Sequence, residues 1–117
     1  MEAGTLKKVI PIASSIGAHL TIISVEIYEQ AVVVTWLDKR GAPAQPPPDW
    51  RAPLLHIEDD HQTEYEYELG GASYGDAGPL RGECLFTPSI PIGAKRLRVL
   101  TEEGTLDIPI ESLPQSA

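Results

Sequence analysis

The chain has 117 residues, a length that suits one domain with a single hydrophobic core. Its 17 acidic and 9 basic residues give a formal charge of −8, so nucleic-acid phosphates and anionic membrane surfaces should repel it. We therefore expect no nucleic-acid or membrane partner. Any protein partner attracted by charge should be basic.

The 10 glycines and 11 prolines indicate many turns. Cys84 is the single cysteine, so packing rather than an internal disulfide must hold the fold together. The start of the chain lacks the apolar stretch of a signal peptide, and no apolar span has transmembrane length, which predicts a cytoplasmic protein. We expect one domain over residues 1–117, with frayed tails at residues 1–5 and 111–117.

The first predicted strand is Leu6–Ile12, which has apolar side chains along most of its length. Pro11 cannot donate a hydrogen bond to a neighbouring strand, so this strand should lie at a sheet edge. A turn is predicted to follow at residues 14–17, where two serines precede an isoleucine and a glycine.

The second predicted strand is Leu20–Glu29, in which Ile23, Val25 and Ile27 should share the buried face. The adjacent Ile22 interrupts this alternation and predicts a β-bulge.

The third predicted strand, Ala31–Asp38, is apolar on both faces and should be central in a sheet. The short break at residues 29–30 predicts that it forms a hairpin with the second strand.

A proline-rich loop, Lys39–Pro53, should follow the third strand. Its triple proline at residues 46–48 favours an extended polyproline II path. A rigid crossover between two sheets is the simpler interpretation, and a motif recognised by an aromatic groove is the alternative. Trp50 either covers the edge of the sandwich or anchors a partner.

Strands Leu54–Glu58 and Thr63–Leu69 flank an acidic turn and are predicted to form a hairpin. The second of them alternates strictly, with one apolar and one acidic face. Its apolar face should carry Tyr65, Tyr67 and Leu69, and its acidic face Glu64, Glu66 and Glu68.

The last third of the chain predicts a glycine-rich loop at Gly70–Pro79, a strand at Leu80–Thr87 and a hairpin over Arg96–Ile110. These strand lengths and spacings predict an all-β, antiparallel two-sheet sandwich of 7–9 strands with no substantial helix. An immunoglobulin-like Greek key is the topology that we expect.

Several turn motifs also resemble those of a known group of domains. They are Val-Ile-Pro-Ile at 9–12, the acidic turn from Asp59 to Tyr65, Gly70-Gly71, Phe86-Thr87-Pro88 and the segment Pro91–Leu97. Residues Val9 through Val99 are similar to small immunoglobulin-like domains of uncharacterised bacterial proteins. The resemblance implies a β-sandwich and transfers no active-site residue.

Seven carboxylates occur between residues 58 and 76 without an intervening Lys or Arg. The simpler interpretation is a solvated face that opposes sheet aggregation. The alternative is a calcium site formed by Asp59, Asp60 and Asp76, which lie in predicted loops. A further structural interpretation is that Arg96 and Arg98 pair with some of these acids across strands.

No arrangement of residues indicates catalysis. Cys84 shares a strand face with Phe86, which is typical of a packing thiol, and the glycine pairs lack the helix that a phosphate-binding loop requires. We therefore expect that the protein is not an enzyme and has no cofactor other than calcium in the alternative above.

The leading functional hypothesis is a non-catalytic protein-binding or assembly module. Its candidate binding residues are Trp50, Tyr74, Glu64, Glu66 and Glu68. The alternative is a divalent-cation or carbohydrate-binding accessory domain, and self-association through edge strands is also open.

Overall fold

The computed structural model describes residues 4–39, 55–73 and 80–110, where the chain forms eight β-strands and no helix. The strands are β1 (Leu6–Ile16), β2 (Leu20–Tyr28), β3 (Val32–Asp38), β4 (His56–Asp59), β5 (Glu66–Ser73), β6 (Leu80–Thr87), β7 (Arg96–Thr101) and β8 (Gly104–Pro109). Accordingly, these ranges contain no helix of the length and apolarity needed to cross a bilayer.

The strands form two antiparallel sheets. The large sheet has the order β1-β2-β3-β6-β5 and the small sheet the order β4-β7-β8. The chain passes between the sheets after β3, after β4 and after β6. The predicted all-β, two-sheet fold is confirmed, and the immunoglobulin-like Greek-key order stays a prediction.

Strand β3 lies in the middle of the large sheet, as its two apolar faces predict. Val32, Val34 and Trp36 are buried on the inner face, which packs towards the small sheet. Val33 and Leu37 alternate with them and are half-buried on the opposite face. The hairpin of β2 and β3 is also confirmed.

The predicted bulge in β2 is confirmed, because the pairing with β3 shifts between Ile22 and Ser24. The bulge places Ile22 in the core with Val25 and Ile27, and Ile23 is only half-buried. The prediction that Ile23 shares the buried face was wrong, because the extra residue reverses the alternation on one side of the bulge.

Strand β1 is an edge strand, as predicted, but it continues to Ile16 through the residues expected to turn. Its pairing shifts between Pro11 and Ser14, where Ala13 has a positive φ of 54°. This bulge lets the strand continue past Pro11. The turn instead begins at Gly17, where an added Cβ would lie 2.8 Å from the Cβ of Glu103.

The predicted hairpin of Leu54–Glu58 and Thr63–Leu69 was wrong. Strand β4 pairs with β7 in the small sheet, and β5 pairs with β6 in the large sheet. Strand β5 begins only at Glu66, because residues 60–65 cross between the sheets, and it continues to Ser73 through part of the expected glycine-rich loop. Alternation predicts a strand and its faces, but it does not specify which strand is the partner.

One apolar cluster fills the space between the sheets. Its buried members from the large sheet are Ile16, Leu20, Ile22, Val25, Ile27, Val32, Val34, Trp36, Leu80, Cys84 and Phe86. From the small sheet and the connections come Leu55, Ile57, Ile90, Ala94, Leu97, Val99, Ile108 and Ile110. Strands β1 and β8 contact each other along one side of the sandwich.

We predict that Leu97→Ala lowers the free energy of unfolding by about 2 to 5 kcal/mol, because Leu97 is fully buried and the deletion leaves a cavity. Ile92→Ala is the matched control, since Ile92 is 65% exposed and should lose well under 1 kcal/mol. Urea unfolding of both variants tests this. Equal losses would contradict the placement of the core.

Candidate functional site

The acidic turn after β4 is built around the carboxylate of Asp59. Its Oδ1 accepts hydrogen bonds from the backbone N–H groups of His61 at 2.8 Å and Thr63 at 3.1 Å. Its Oδ2 accepts the hydroxyl of Tyr65 at 2.7 Å. Both oxygens of Asp59 therefore hold the chain where it leaves the small sheet.

These hydrogen bonds change the ionisation of both partners. Partial burial alone would raise the pKa of Asp59, but the donors from Thr63, Tyr65 and His61 outweigh it and lower the pKa below its ordinary value. Burial and the bond to Asp59 raise the pKa of Tyr65. Asp59 is therefore a carboxylate at neutral pH, and Tyr65 is a neutral donor.

Asp60 fixes the other end of this turn to the start of β7. Both of its carboxylate oxygens accept the backbone N–H of Lys95, at 3.0 and 3.1 Å. Desolvation opposes ionisation of Asp60, but the backbone donors of Lys95 and Arg96 lower its pKa. Asp60 thus joins residues that are 35 positions apart in the chain.

The calcium hypothesis relied on Asp59, Asp60 and Asp76. The first two already accept hydrogen bonds from the protein, and Asp76 lies outside the described residues. Within residues 4–39, 55–73 and 80–110, no three His, Cys, Asp or Glu side chains form a group suited to a metal ion. The calcium site stays a prediction.

The three glutamates of the acidic strand, Glu64, Glu66 and Glu68, are all exposed, as predicted for a solvated face. The hydroxyl of Thr87 donates to Glu68 Oε1 at 2.6 Å. Pairing of β5 with β6 shifts between Tyr67 and Leu69, so the strand has a bulge at Glu68. The other two candidate binding residues, Trp50 and Tyr74, lie outside the described part of the chain.

The outer face of the small sheet carries ion pairs that span all three strands. Arg98 on β7 contacts Asp107 on β8 at 2.8 Å and Glu58 on β4 at 3.2 Å. The predicted cross-strand pairing with the acids of residues 58–76 is confirmed for Arg98 and Glu58. The hydrogen bond from Arg98 lowers the pKa of Asp107. Arg98 thus pairs with one carboxylate on each neighbouring strand.

The opposite surface of the sandwich has a different composition. We call it the outer large-sheet face and define it by the side chains of β1, β2, β3 and β6 that point away from the core. Glu66 and Glu68 of β5 border it at Thr87. Its residues are Leu6, Val9, Pro11, Ser24, Glu26, Tyr28, Val33, Thr35, Leu37, Arg81, Glu83, Leu85 and Thr87. None of these residues was identified as a binding candidate from the sequence.

Exposure on this face is uneven: Thr35 at its centre is buried, and the apolar side chains at its β1 edge are accessible. Leu6 is 44% exposed and Val9 is 48% exposed, both on edge strand β1. Val33 and Leu85 are half-buried neighbours on β3 and β6. In the sequence, the only sign of this surface is the apolar second face of β3. That pattern predicts a central strand, but it does not identify the surface that would cover the face.

Two carboxylates lie among these apolar side chains, Glu26 on β2 and Glu83 on β6. Glu26 accepts the hydroxyl of Tyr28 at 2.9 Å, and this bond, with burial, raises the pKa of Tyr28. In the part of the chain that the structure describes, neither Glu26 nor Glu83 forms an ion pair with a Lys or Arg. Within the described ranges, the acids of this face therefore lack the ion pairs that the small sheet has.

Cys84 lies in the core on β6, 3% exposed. Burial raises the pKa of its thiol, and the nearby Trp36 and Tyr67 offset that effect only in part. Trp36 Nε1 is buried and meets no acceptor in hydrogen-bond geometry among the described residues. The Trp36 N–H therefore affects the thiol pKa only as a poorly aligned donor, and sulfur is a weak acceptor.

Comparisons of the chain with protein-family models, with curated proteins and with solved structures gave no match.

We predict that Tyr65→Phe lowers the free energy of unfolding by about 1 to 2 kcal/mol at pH 7, because it removes a donor to an ionised carboxylate. The pKa of Asp59 is lower in the folded protein, so its contribution is present above about pH 4 and is lost as the pH falls through that lowered pKa. In urea unfolding, the loss of unfolding free energy caused by Tyr65→Phe should be smaller at pH 3 than at pH 7.

Two further variants test this interpretation of the turn. In an Asp59→Asn background, which removes the charge, Tyr65→Phe should cost less at pH 7 than it does in the wild type. Glu64→Gln changes an exposed neighbour and should leave stability nearly unchanged. A cost of Tyr65→Phe that is the same at both pH values would contradict the role of Asp59.

We also predict that a thiol reagent reacts with Cys84 only when the protein unfolds, because the sulfur is buried and its pKa is raised. The reaction rate should rise with urea in step with global unfolding. A native-state rate close to that of the urea-unfolded chain would show that Cys84 is accessible.

Proposed function

We propose that this protein is a non-catalytic protein-binding or assembly module whose contact surface is the outer large-sheet face. The observation that carries the proposal is the difference between the two outer faces of the sandwich. Among the described residues, one face joins its charges in ion pairs, and the other presents apolar side chains with two acids that form no ion pair. Such a difference is expected when one face is solvated and the other is covered.

The small sheet needs no partner to satisfy its outer surface. Glu58, Arg98 and Asp107 interact across its three strands and are each about half exposed to water. Ion pairs of this kind contribute little to stability, but they keep a sheet face soluble and oppose aggregation.

The large sheet offers what a protein interface requires. Leu6 and Val9 are large exposed apolar residues on edge strand β1, and the half-buried Val33 and Leu85 lie beyond Glu26 in the same row as Val9. Residues on a sheet have fixed backbones, so a partner binding there loses less conformational entropy than one that must order a loop.

The edges of the large sheet support face contact over strand addition. Pairing in β1 shifts twice, near Lys8 and near Ala13, and Pro11 lacks an N–H donor. Pairing in β5 shifts near Glu68. Bulges and prolines interrupt the regular ladder that an added strand requires. Self-association through these edges, which the sequence left open, is therefore the weaker proposal.

We expect the double variant Leu6→Ser and Val9→Ser to lose partners that the wild type retains, because it removes exposed apolar contact area with little effect on the core. The measurement is quantitative affinity capture from cells that produce the protein, with both forms as bait. Ile92→Ser is the control, since Ile92 is exposed on a turn outside this face. If all three baits retain the same proteins, the proposed surface is wrong.

A further inference from the structure

The outer large-sheet face has a regular arrangement of charge and apolar contact. One row crosses four strands in register, from Val9 through Glu26 and Val33 to Leu85. The next row contains Ser24, Thr35 and Glu83 in the same strand order. Each row therefore places one carboxylate beside uncharged side chains.

The two carboxylates lie diagonally on either side of Val33. Glu26 is on β2 and Glu83 is on β6, so the two residues are two strand spacings apart across the sheet. Along the strand direction, their rows are two residues apart. With strands about 4.8 Å apart and about 3.4 Å per residue, their Cα atoms are roughly 12 Å apart. The line between them crosses β3 between half-buried Val33 and buried Thr35.

This spacing matches an extended peptide with basic side chains four residues apart. Alternate residues of a strand point to the same side, so positions 1, 3 and 5 of such a peptide face one surface. The first and fifth Cα atoms are then about 13 Å apart. A lysine at each of these positions reaches one carboxylate when an apolar third residue rests on Val33.

A basic partner fits this face better than the alternatives. A second copy of the chain would bring further carboxylates to the contact and carries a formal charge of −8. Anionic lipids and nucleic acids meet the same repulsion. Arg81 is the basic residue of this face in the described ranges, and it lies on β6 two residues before Glu83, away from Glu26.

We propose that the outer large-sheet face recognises an extended, basic segment of a partner protein that places one apolar side chain between two basic ones. This inference rests on the proposed function, because it names the partner of the same surface. The carboxylates of Glu26 and Glu83 provide orientation, and the apolar row provides contact area.

A synthetic peptide provides the test. Its central residues are lysine, serine, valine, serine and lysine, flanked by glycines, and NMR at low ionic strength follows the amide resonances of the domain. Saturable shifts are expected at Val9, Glu26, Val33, Glu83 and Leu85, and added salt should weaken binding. A peptide with glutamates in place of both lysines should cause no shifts.

Substitution of the two glutamates then measures how much their charges contribute to peptide binding, separately from the apolar contact area. Glu26→Gln and Glu83→Gln should each weaken peptide binding about two- to five-fold, since exposed ion pairs contribute modestly. Glutamine preserves an acceptor for Tyr28, so the fold should persist. Glu58→Gln and Glu64→Gln are matched controls on other surfaces and should leave binding unchanged.

Several results would overturn the inference. They are an absence of shifts, equal binding of the acidic peptide, or shifts centred on the small-sheet residues Glu58, Arg98 and Asp107. The two proposals fail separately. If captured partners are lost from the Leu6→Ser and Val9→Ser variant but retained by Glu26→Gln and Glu83→Gln, the module binds proteins and its partner is not selected by charge.

Discussion

Burial of one apolar cluster between the two sheets is the interaction on which the rest of the structure depends. The chain's single cysteine excludes an internal disulfide, so packing must hold the sheets together. Val34 and Trp36 from the large sheet and Leu97 and Val99 from the small sheet belong to the same cluster. Because this cluster occupies the inner faces, each sheet has one outer face that is not part of the core.

Polar contacts then specify how the chain passes between the sheets. Asp59 orders the turn that leaves β4, and Asp60 fixes that turn to the start of β7. Their oxygens accept protein donors, so in this structure the two acids serve to shape the chain. The other acids differ between the two sheets. On the small sheet, Glu58 pairs with Arg98, and on the large sheet, Glu26 and Glu83 form no ion pair within the described residues.

The sequence predicted the features that depend on local alternation. It identified the hairpins of β2–β3 and β7–β8, the central position of β3 and the bulge at Ile22. It failed where a strand's partner is distant, because the pairing of β4 with β7 depends on packing of the whole chain. Local periodicity near Asp59 was equally compatible with a hairpin that the structure does not contain.

The candidate surface was less predictable than the fold. Glu64, Glu66 and Glu68 stand out in the sequence because they are consecutive alternating residues. The outer large-sheet face combines residues from four strands that are as far apart as Val9 and Leu85. Only the sheet order places Glu26 and Glu83 on either side of Val33, so no short motif contains this arrangement.

Carboxyl footprinting of the protein in its native assembly and in isolation tests most directly whether the outer large-sheet face is the contact surface. A carbodiimide couples exposed carboxylates to an amine label, and mass spectrometry compares labelling at each residue. Labelling of Glu26 and Glu83 should fall in the assembly, and labelling of Glu58 and Glu64 should not change. Unchanged labelling of Glu26 and Glu83 together with protection of Glu58 or Glu64 would show that a different surface makes the contact.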